Sequence, residues 1–132
     1  MKIMMCGASR IADEILKRMG ENWEVTLIDK NEKRLDNFSS RFVSVVRLKV
    51  GDASSPVVLE EVGLEKQEYF LALTDDDRVN LAASRFAKER NVKNIMALVR
   101  DPERLPEFKE LGIWAFPMTS FLARKIYHYL QD

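Results

Sequence analysis

The sequence predicts an α/β fold of the doubly wound, Rossmann-like type: a parallel sheet of about six strands with helices on both faces. Three observations lead to this prediction. Short β-rich runs alternate with amphipathic stretches along the 132 residues, and this alternation implies parallel strands joined by right-handed crossovers. The length is that of one domain. A glycine-containing turn follows the first apolar run, where such folds place a phosphate-binding loop.

The first half of the chain supplies three strands and two helices. Residues 2–6 read as a buried strand, and an amphipathic helix over about 10–19 follows the turn. Residues 24–28, E-V-T-L-I, form a second strand because β-branched residues favour strands. A helix over 32–40 and a third strand over 44–50 complete this half.

The second half repeats the pattern. Ser55-Pro56 begins a short helix, with serine at the N-cap and proline at the first helical position. Strands are expected over 69–73 and 94–99. The helix over 77–90 is the clearest one, because apolar residues recur at i, i+3, i+4, i+7 and i+8. Asp101-Pro102-Glu103 opens the next helix with a cap, a proline and an acid.

The chain ends with a short strand over 114–116 and a helix over 119–130. We expect the strands to lie in the order 3-2-1-4-5-6, the doubly wound arrangement. The last helix is apolar over more of its circumference than one docking face requires. The apolar residues are Phe121, Leu122, Ile126, Tyr127, Tyr129 and Leu130.

Composition excludes several classes of function. Lys plus Arg and Asp plus Glu number 21 each and are interleaved, so no basic excess indicates a nucleic-acid partner. No apolar run approaches the roughly 18 residues that span a bilayer. The single cysteine, Cys6, fits a reducing cytoplasm.

The segment 7–12 reads G-A-S-R-I-A where a dinucleotide-binding loop carries G-x-G-x-x-G/A. Gly7 suits the tight turn, and Ala12 is small enough for close helix–sheet packing. Ser9 replaces the middle glycine. Its hydroxyl can cap the following helix or donate a hydrogen bond to a phosphate, and both interpretations stand.

Acids follow the second and third strands. Asp29 lies 22 residues after Gly7, about the spacing at which a carboxylate binds the ribose hydroxyls of an adenosine. An acid there favours NAD(H) or adenine nucleotides over NADP(H), although a solvated turn acid is the alternative. Asp52 follows Gly51 and either walls an adenine pocket beside Ala53 or belongs to an ordinary turn.

The fourth and fifth strands end in Leu73-Thr74-Asp75-Asp76-Asp77 and Val99-Arg100-Asp101. Helix capping explains the three acids more simply than a metal site, because consecutive loop acids cannot all face one ion. Thr74 lies at the switch point and is expected to contact a ligand's phosphate or ribose. Arg100 either pairs with a phosphate or forms a surface pair with Asp101.

Five segments in this order resemble TrkA-N (RCK/KTN) domains, the cytoplasmic regulatory domains of Trk and Ktr potassium-uptake systems and of ligand-gated potassium channels. The segments read G-A-S-R-I-A, T-L-I-D, V-G-D-A-S, A-L-T-D-D-D-R-V-N and L-V-R-D-P-E. The likeness runs from Met1 to about Ala123. Asn80, the last residue of the fourth segment, matches a family position, but no chemistry is assigned to it.

The resemblance implies one nucleotide-binding domain over 1–132, a gating-ring subunit rather than an enzyme, with NAD(H) or ATP, ADP or AMP as its regulatory ligand. It implies attachment at the cytoplasmic face of the plasma membrane to an integral-membrane potassium transporter or channel subunit. The residues expected at the ligand are Gly7, Ala8, Ser9, Arg10, Ile11, Ala12, Asp29, Lys30, Asp52, Ala53, Thr74, Asp75 and Arg100. No catalytic or metal-binding residue is expected.

In the family the final helix crosses to a neighbouring subunit. The segment 118–132 is therefore expected to hold together a homo- or hetero-oligomer, from a dimer to an octameric ring. The C-terminal ligand-binding subdomain that often follows in this family is missing after Asp132, through truncation or because the subunit is short. The alternatives are a structural ring subunit in which Ser9 has abolished binding, and an NAD-dependent oxidoreductase fragment.

Overall fold

The structure, a computed structural model, describes residues 1–131. Within them the chain forms one parallel sheet of six strands in the order β3-β2-β1-β4-β5-β6, so the predicted doubly wound topology is confirmed. The strands are β1 (Lys2–Cys6), β2 (Glu24–Asp29), β3 (Val45–Val50), β4 (Tyr69–Ala72), β5 (Asn94–Val99) and β6 (Trp114–Pro117). The helices are α1 (Arg10–Leu16), α2 (Glu32–Arg41), α3 (Pro56–Glu61), α4 (Asp77–Glu89), α5 (Leu105–Glu110) and α6 (Met118–Leu130).

Alternating side chains of the strands divide the core into two layers. Met4 and Cys6 of β1 face α3, α4 and α5, whereas Ile3 and Met5 face α1 and α2. Burial raises the pKa of the Cys6 thiol well above its ordinary value, so this thiol stays protonated and unreactive. Cys6 is therefore a small core residue.

The first helix is shorter than predicted. It ends at Leu16 rather than near residue 19, because the N–H groups of Arg18 and Met19 bond to the carbonyls of Ile15 and Leu16, three residues back. These bonds tighten the last turn into a 3₁₀ conformation, a common way for a helix to end.

Beyond its first turn, the final helix α6 does not pack onto its own domain. Every residue from Phe121 to Gln131 is exposed, and six large apolar side chains are more than half exposed: Phe121, Leu122, Ile126, Tyr127, Tyr129 and Leu130. Trp114 and Phe116 of the edge strand β6 are exposed as well. Among the described residues, none of the helices has the length and apolar character needed to cross a bilayer.

Candidate functional site

The carboxyl ends of β1, β2, β4 and β5 open onto a cleft of about 590 Å³ at the switch point of the sheet, where ligands bind in folds of this kind. Most of the residues predicted at the ligand line it: Gly7, Ser9, Arg10, Ile11, Asp29, Lys30, Ala53, Thr74, Asp75 and Arg100. Ala8, Ala12 and Asp52 do not line it. Ala8, which belongs to the loop, and Ala12, which belongs to α1, are buried in the core.

Gly7 makes the turn from β1 possible. Its φ angle is +106°, a region that glycine adopts without a steric penalty. Its N–H donates to the Ile28 carbonyl at 2.7 Å. A Cβ atom at this position would lie 2.9 Å from the backbone atoms of Leu73 and Thr74. The turn therefore passes against the end of β4 with no room for a side chain.

Ser9 is the N-cap of α1. This is one of the two roles that the sequence left open for it. Its Oγ accepts a hydrogen bond from the Ala12 N–H at 3.4 Å and donates to the Leu73 carbonyl at 3.0 Å. The hydroxyl proton is thus used inside the protein, and the side chain joins the first turn of α1 to the end of β4. Ser9 also borders the cleft.

We expect Ser9→Ala to lower the free energy of unfolding by about 1 to 2 kcal/mol, because the variant loses a helix cap and a bond to another strand. Ser55→Ala is the matched control. Ser55 caps α3 through the Val58 N–H, and among the described residues its hydroxyl makes no hydrogen bond to a strand. Urea unfolding of both variants measures the difference, and an equal loss would show that the Leu73 bond contributes nothing.

Asp29 ends β2, and its carboxylate is already engaged. Oδ2 accepts from the Ala8 N–H at 2.8 Å, and Oδ1 accepts from the Asn31 N–H at 2.7 Å. Arg34 Nη2 lies 3.8 Å from Oδ1. The side chain is only 8% exposed. Asp29 therefore fixes the glycine loop against β2, and any ligand contact uses the lone pairs that these bonds leave free.

Asp52 follows β3 and faces its own turn rather than the cleft. Its Oδ1 accepts from the Ser54 hydroxyl and N–H at 2.7 and 2.8 Å. These bonds lower its pKa against the opposing effect of partial burial, with a further contribution from Lys30. Lys30 Nζ lies 3.7 Å from Oδ2. Asp52 thus carries its charge at neutral pH beside a lysine that lines the cleft.

The three acids after β4 have separate roles. Asp75 is exposed and lines the cleft, and Asp76 is the N-cap of α4, accepting from the Arg78 N–H at 2.9 Å. This bond lowers the pKa of Asp76. Asp77 is not a cap: its carboxylate accepts the N–H groups of Arg100 and Asp101, both at 2.8 Å. Within the described residues, no group of three or more His, Cys, Asp or Glu side chains is arranged to hold a metal ion.

Arg100 is exposed at the edge of the cleft. The sequence left open a surface pair with Asp101, but among residues 1–131 the ion pairs include neither Arg100 nor Asp101. Asp101 instead accepts from the Glu103 N–H at 3.0 Å. The guanidinium is therefore available to an anion in the cleft.

Some lining residues were missed in the sequence analysis, among them Glu14, Arg34, Val79, Leu98 and Met118. Arg34 comes five residues after Asp29, in the first turn of a helix that starts at the carboxyl end of β2. This position could have identified it as a lining residue from the sequence. Met118 had no local signal, because its place depends on how β6 returns to the sheet.

The cleft is lined by charges of both signs, and among the described residues Arg10 and Arg100 are its basic groups outside ion pairs. Arg10, Lys30, Arg34 and Arg100 line the cleft. Lys30 lies near Asp52, and Arg34 lies near Asp29. Of the four acids that line the cleft, Glu14 pairs with Arg18 at 2.9 Å, Asp29 accepts backbone N–H groups, Asp76 caps α4 and Asp75 is exposed. The guanidinium groups of Arg10 and Arg100 suit an anionic ligand.

The model of the TrkA-N domain family matches residues 3–116 of this chain. A relative from Archaeoglobus fulgidus, described as a Trk system potassium uptake protein TrkA homolog, is 31% identical over 103 residues. The match covers 78% of this chain and 23% of the relative. The chain therefore spans less than a quarter of that relative's length.

Solved structures share the fold. The TrkA-N domain of the inner membrane protein ybaL from Escherichia coli superposes with a TM-score of 0.85 at 16% identity, covering 98% of this chain and 96% of the other. The GsuK channel bound to NAD gives a TM-score of 0.80 at 16% identity, covering 94% of this chain and 22% of the other. At such identities the likeness concerns the fold alone.

Proposed function

This chain belongs to the TrkA-N domain family, and on that premise we propose that it is a regulatory domain that binds an adenine nucleotide and controls potassium transport through a membrane-embedded partner. The observation that carries the proposal is the cleft at the switch point, which is lined by the turn at Gly7 and by Arg10 and Arg100, two guanidinium groups outside the ion pairs of the described residues. A volume of about 590 Å³ lies in the range of small-molecule sites.

The proposed contacts follow the positions of the groups around the cleft. The turn at Gly7 and the start of α1, with Ser9, Arg10 and Ile11, meet the phosphates, because a helix N-terminus attracts negative charge. Ala8 and Ala12 pack into the core and so fix the position of this loop. The adenosine ribose lies between Asp29 and Thr74, and the adenine lies beside Ala53, with Lys30 at its edge and Asp52 behind Lys30. Asp75 and Arg100 contact the rest of the ligand.

The proposed ligand is NAD(H) or one of ATP, ADP and AMP. These molecules share an adenosine and at least one phosphate, the two parts that the proposed contacts address. The GsuK channel, which has the same fold, is bound to NAD in its solved structure. We propose that the ligand acts by favouring one conformation of the assembly, since a regulatory ligand shifts an equilibrium only through its differential affinity for two states.

We propose that subunits associate through α6, as a dimer or a larger ring, on the cytoplasmic face of the membrane beside the transporter or channel subunit. The helix begins at the cleft: Met118 lines it, and the Thr119 hydroxyl donates to the Arg100 carbonyl at 3.1 Å. A neighbouring subunit held by α6 would therefore be connected to the segment that carries Arg100.

Calorimetric titration of the purified protein with NAD+, NADH, ATP, ADP and AMP tests the binding. We expect at least one of them to saturate the site, and Arg100→Ala to weaken that binding about 10-fold, as expected for one lost charge-assisted hydrogen bond. Arg100 is a better probe than Asp29, whose replacement would also release the glycine loop.

Arg85→Ala is the control, because Arg85 is exposed on α4 and does not line the cleft. Unchanged affinity in Arg100→Ala would contradict its assigned contact. No binding heat with any of the five nucleotides would contradict the proposed ligand and leave a structural subunit as the remaining function.

A further inference from the structure

Asn80 is a fully buried polar residue on α4, one turn after the helix begins. Its amide oxygen accepts from the Thr74 N–H at 3.1 Å and from the Thr74 hydroxyl at 2.6 Å. Its amide NH2 donates to the carbonyls of Thr74 and Leu98 at 3.1 and 2.9 Å. The amide therefore makes two bonds as acceptor and two as donor, which fills its usual hydrogen-bonding capacity.

These four bonds join the ends of two strands. Thr74 follows β4 and Leu98 belongs to β5, and both residues line the cleft. A buried amide left unpaired would be costly, whereas a fully satisfied one fixes its partners in a single arrangement. Asn80 thus holds one wall of the cleft at two points.

Asp77 makes a similar contact with the residues that follow β5. It lies three positions before Asn80 on α4, so the two side chains share a helix face. Its carboxylate holds the N–H groups of Arg100 and Asp101. The first turn of α4 therefore secures the segments after both β4 and β5.

Asn80 also determines what Thr74 can offer to a ligand. The single hydroxyl proton of Thr74 is directed inward, to Asn80 Oδ1 at 2.6 Å or to the Asp76 carbonyl at 3.2 Å. The Thr74 oxygen also accepts from the Asp76 N–H at 3.3 Å. One lone pair remains, so the oxygen is suited to accept a hydrogen bond from a ligand hydroxyl and not to donate one to a phosphate.

We propose that Asn80 is a positioning residue for the nucleotide site: it fixes the Thr74 oxygen as an acceptor for a ribose hydroxyl and fixes the Leu98–Arg100 segment beside it. The proposal rests on the proposed function, nucleotide binding in this cleft. It assigns the ribose, not the phosphate, to Thr74.

The test compares Asn80→Asp with Leu81→Ala. The aspartate keeps the shape of the side chain but places an oxygen where NH2 faced two carbonyls. Leu81, the next residue of α4, is buried in the apolar core, so its truncation destabilises the domain without touching Thr74. ADP and NAD+ affinities are measured by calorimetry at a temperature where both variants are folded, and amide hydrogen exchange at Thr74 is followed in parallel.

We expect Asn80→Asp to weaken nucleotide binding at least 10-fold and to accelerate exchange at Thr74, while Leu81→Ala binds within 2-fold of the unmodified protein. Unchanged affinity in Asn80→Asp, or equal weakening in both variants, overturns the proposal and leaves Asn80 a purely structural residue. If the unmodified protein binds neither ADP nor NAD+, the comparison is made with whichever of NADH, ATP and AMP it binds. If it binds none of the five nucleotides, the proposed function itself fails, and that failure is visible before any variant is compared.

Should Asn80→Asp not fold, Thr74 provides a second route. Thr74→Val removes the acceptor oxygen with little change in shape and is expected to weaken binding at least 10-fold, whereas Thr74→Ser keeps the oxygen and restores affinity to within 2-fold. A nucleotide whose ribose hydroxyls are replaced by hydrogen should bind equally to Thr74→Val and to the unmodified protein. Full affinity of Thr74→Val for ADP and NAD+ overturns the proposal.

Discussion

Gly7→Ala is expected to destabilise the domain by about 3 kcal/mol or more, a large share of the 5 to 15 kcal/mol that holds a typical domain folded. Two costs combine. An alanine at φ +106° is strained whatever the space around it. Its Cβ would also lie 2.9 Å from the Leu73 carbonyl group and the Thr74 nitrogen, so β1 and β4 would have to separate.

The neighbouring backbone cannot easily give way. The Leu73 N–H donates to the Cys6 carbonyl at 2.8 Å, and the Gly7 N–H donates to Ile28 on the other side. Moving either strand would break ladder bonds at the centre of the sheet. Overpacking against such a fixed neighbour typically costs about 1 to 3 kcal/mol beyond the backbone strain.

Two other glycines separate these contributions in urea unfolding. Gly63 has φ +80°, and a Cβ atom at this position would meet a single neighbour, Lys66 Cδ, at 4.0 Å. Gly63→Ala therefore measures backbone strain alone. No atom lies within 4 Å of the place that a Cβ atom would take at Gly20. Gly20→Ala is therefore the control that carries neither the backbone strain nor the close contact. The expected order of stability is Gly20→Ala, then Gly63→Ala, then Gly7→Ala; equal losses at Gly7 and Gly63 would show that the contact with β4 does not matter.

The features that could be predicted from the sequence are the local ones. Alternating strand and helix patterns, N-cap residues and the glycine turn each depend on a few consecutive residues, and they gave the six-strand order and the end of the sheet where the cleft lies. The N-cap role of Ser9 was one of the two interpretations that the sequence left open. The positions of Asp29 and Arg100 at the carboxyl ends of their strands followed from the fold.

The roles that depend on distant contacts could not be read locally. Asp77 was expected to serve the start of its own helix, yet its carboxylate holds N–H groups 23 and 24 residues further along the chain. Asn80 had no assignable role, because its partner Leu98 lies 18 residues away. Asp29 was expected to face a ribose directly, and its bond to Ala8 became visible only when β1 and β2 were paired.

Replacement of Leu122 and Ile126 by aspartate is expected to convert an assembled protein into a monomer of 15.3 kDa. The two side chains are 53% and 61% exposed and lie four residues apart, on one face of α6. Removing these two side chains from an interface would make the free energy of association less favourable by about 3 kcal/mol or more. This corresponds to an increase of about 100-fold in Kd. Sedimentation equilibrium across a concentration series measures the change.

The same double variant should leave the stability of each domain nearly unchanged, because neither side chain packs into the core. Arg124→Ser, on the same helix and also exposed, is the control and should keep the assembled state. Burying the apolar side chains around α6 lowers the free energy of the assembly. A second copy of α6, together with the exposed Trp114 and Phe116 of β6, offers an apolar surface for this burial. Unmodified protein that sediments as a monomer at all concentrations, or a double variant that stays assembled, would contradict association through α6.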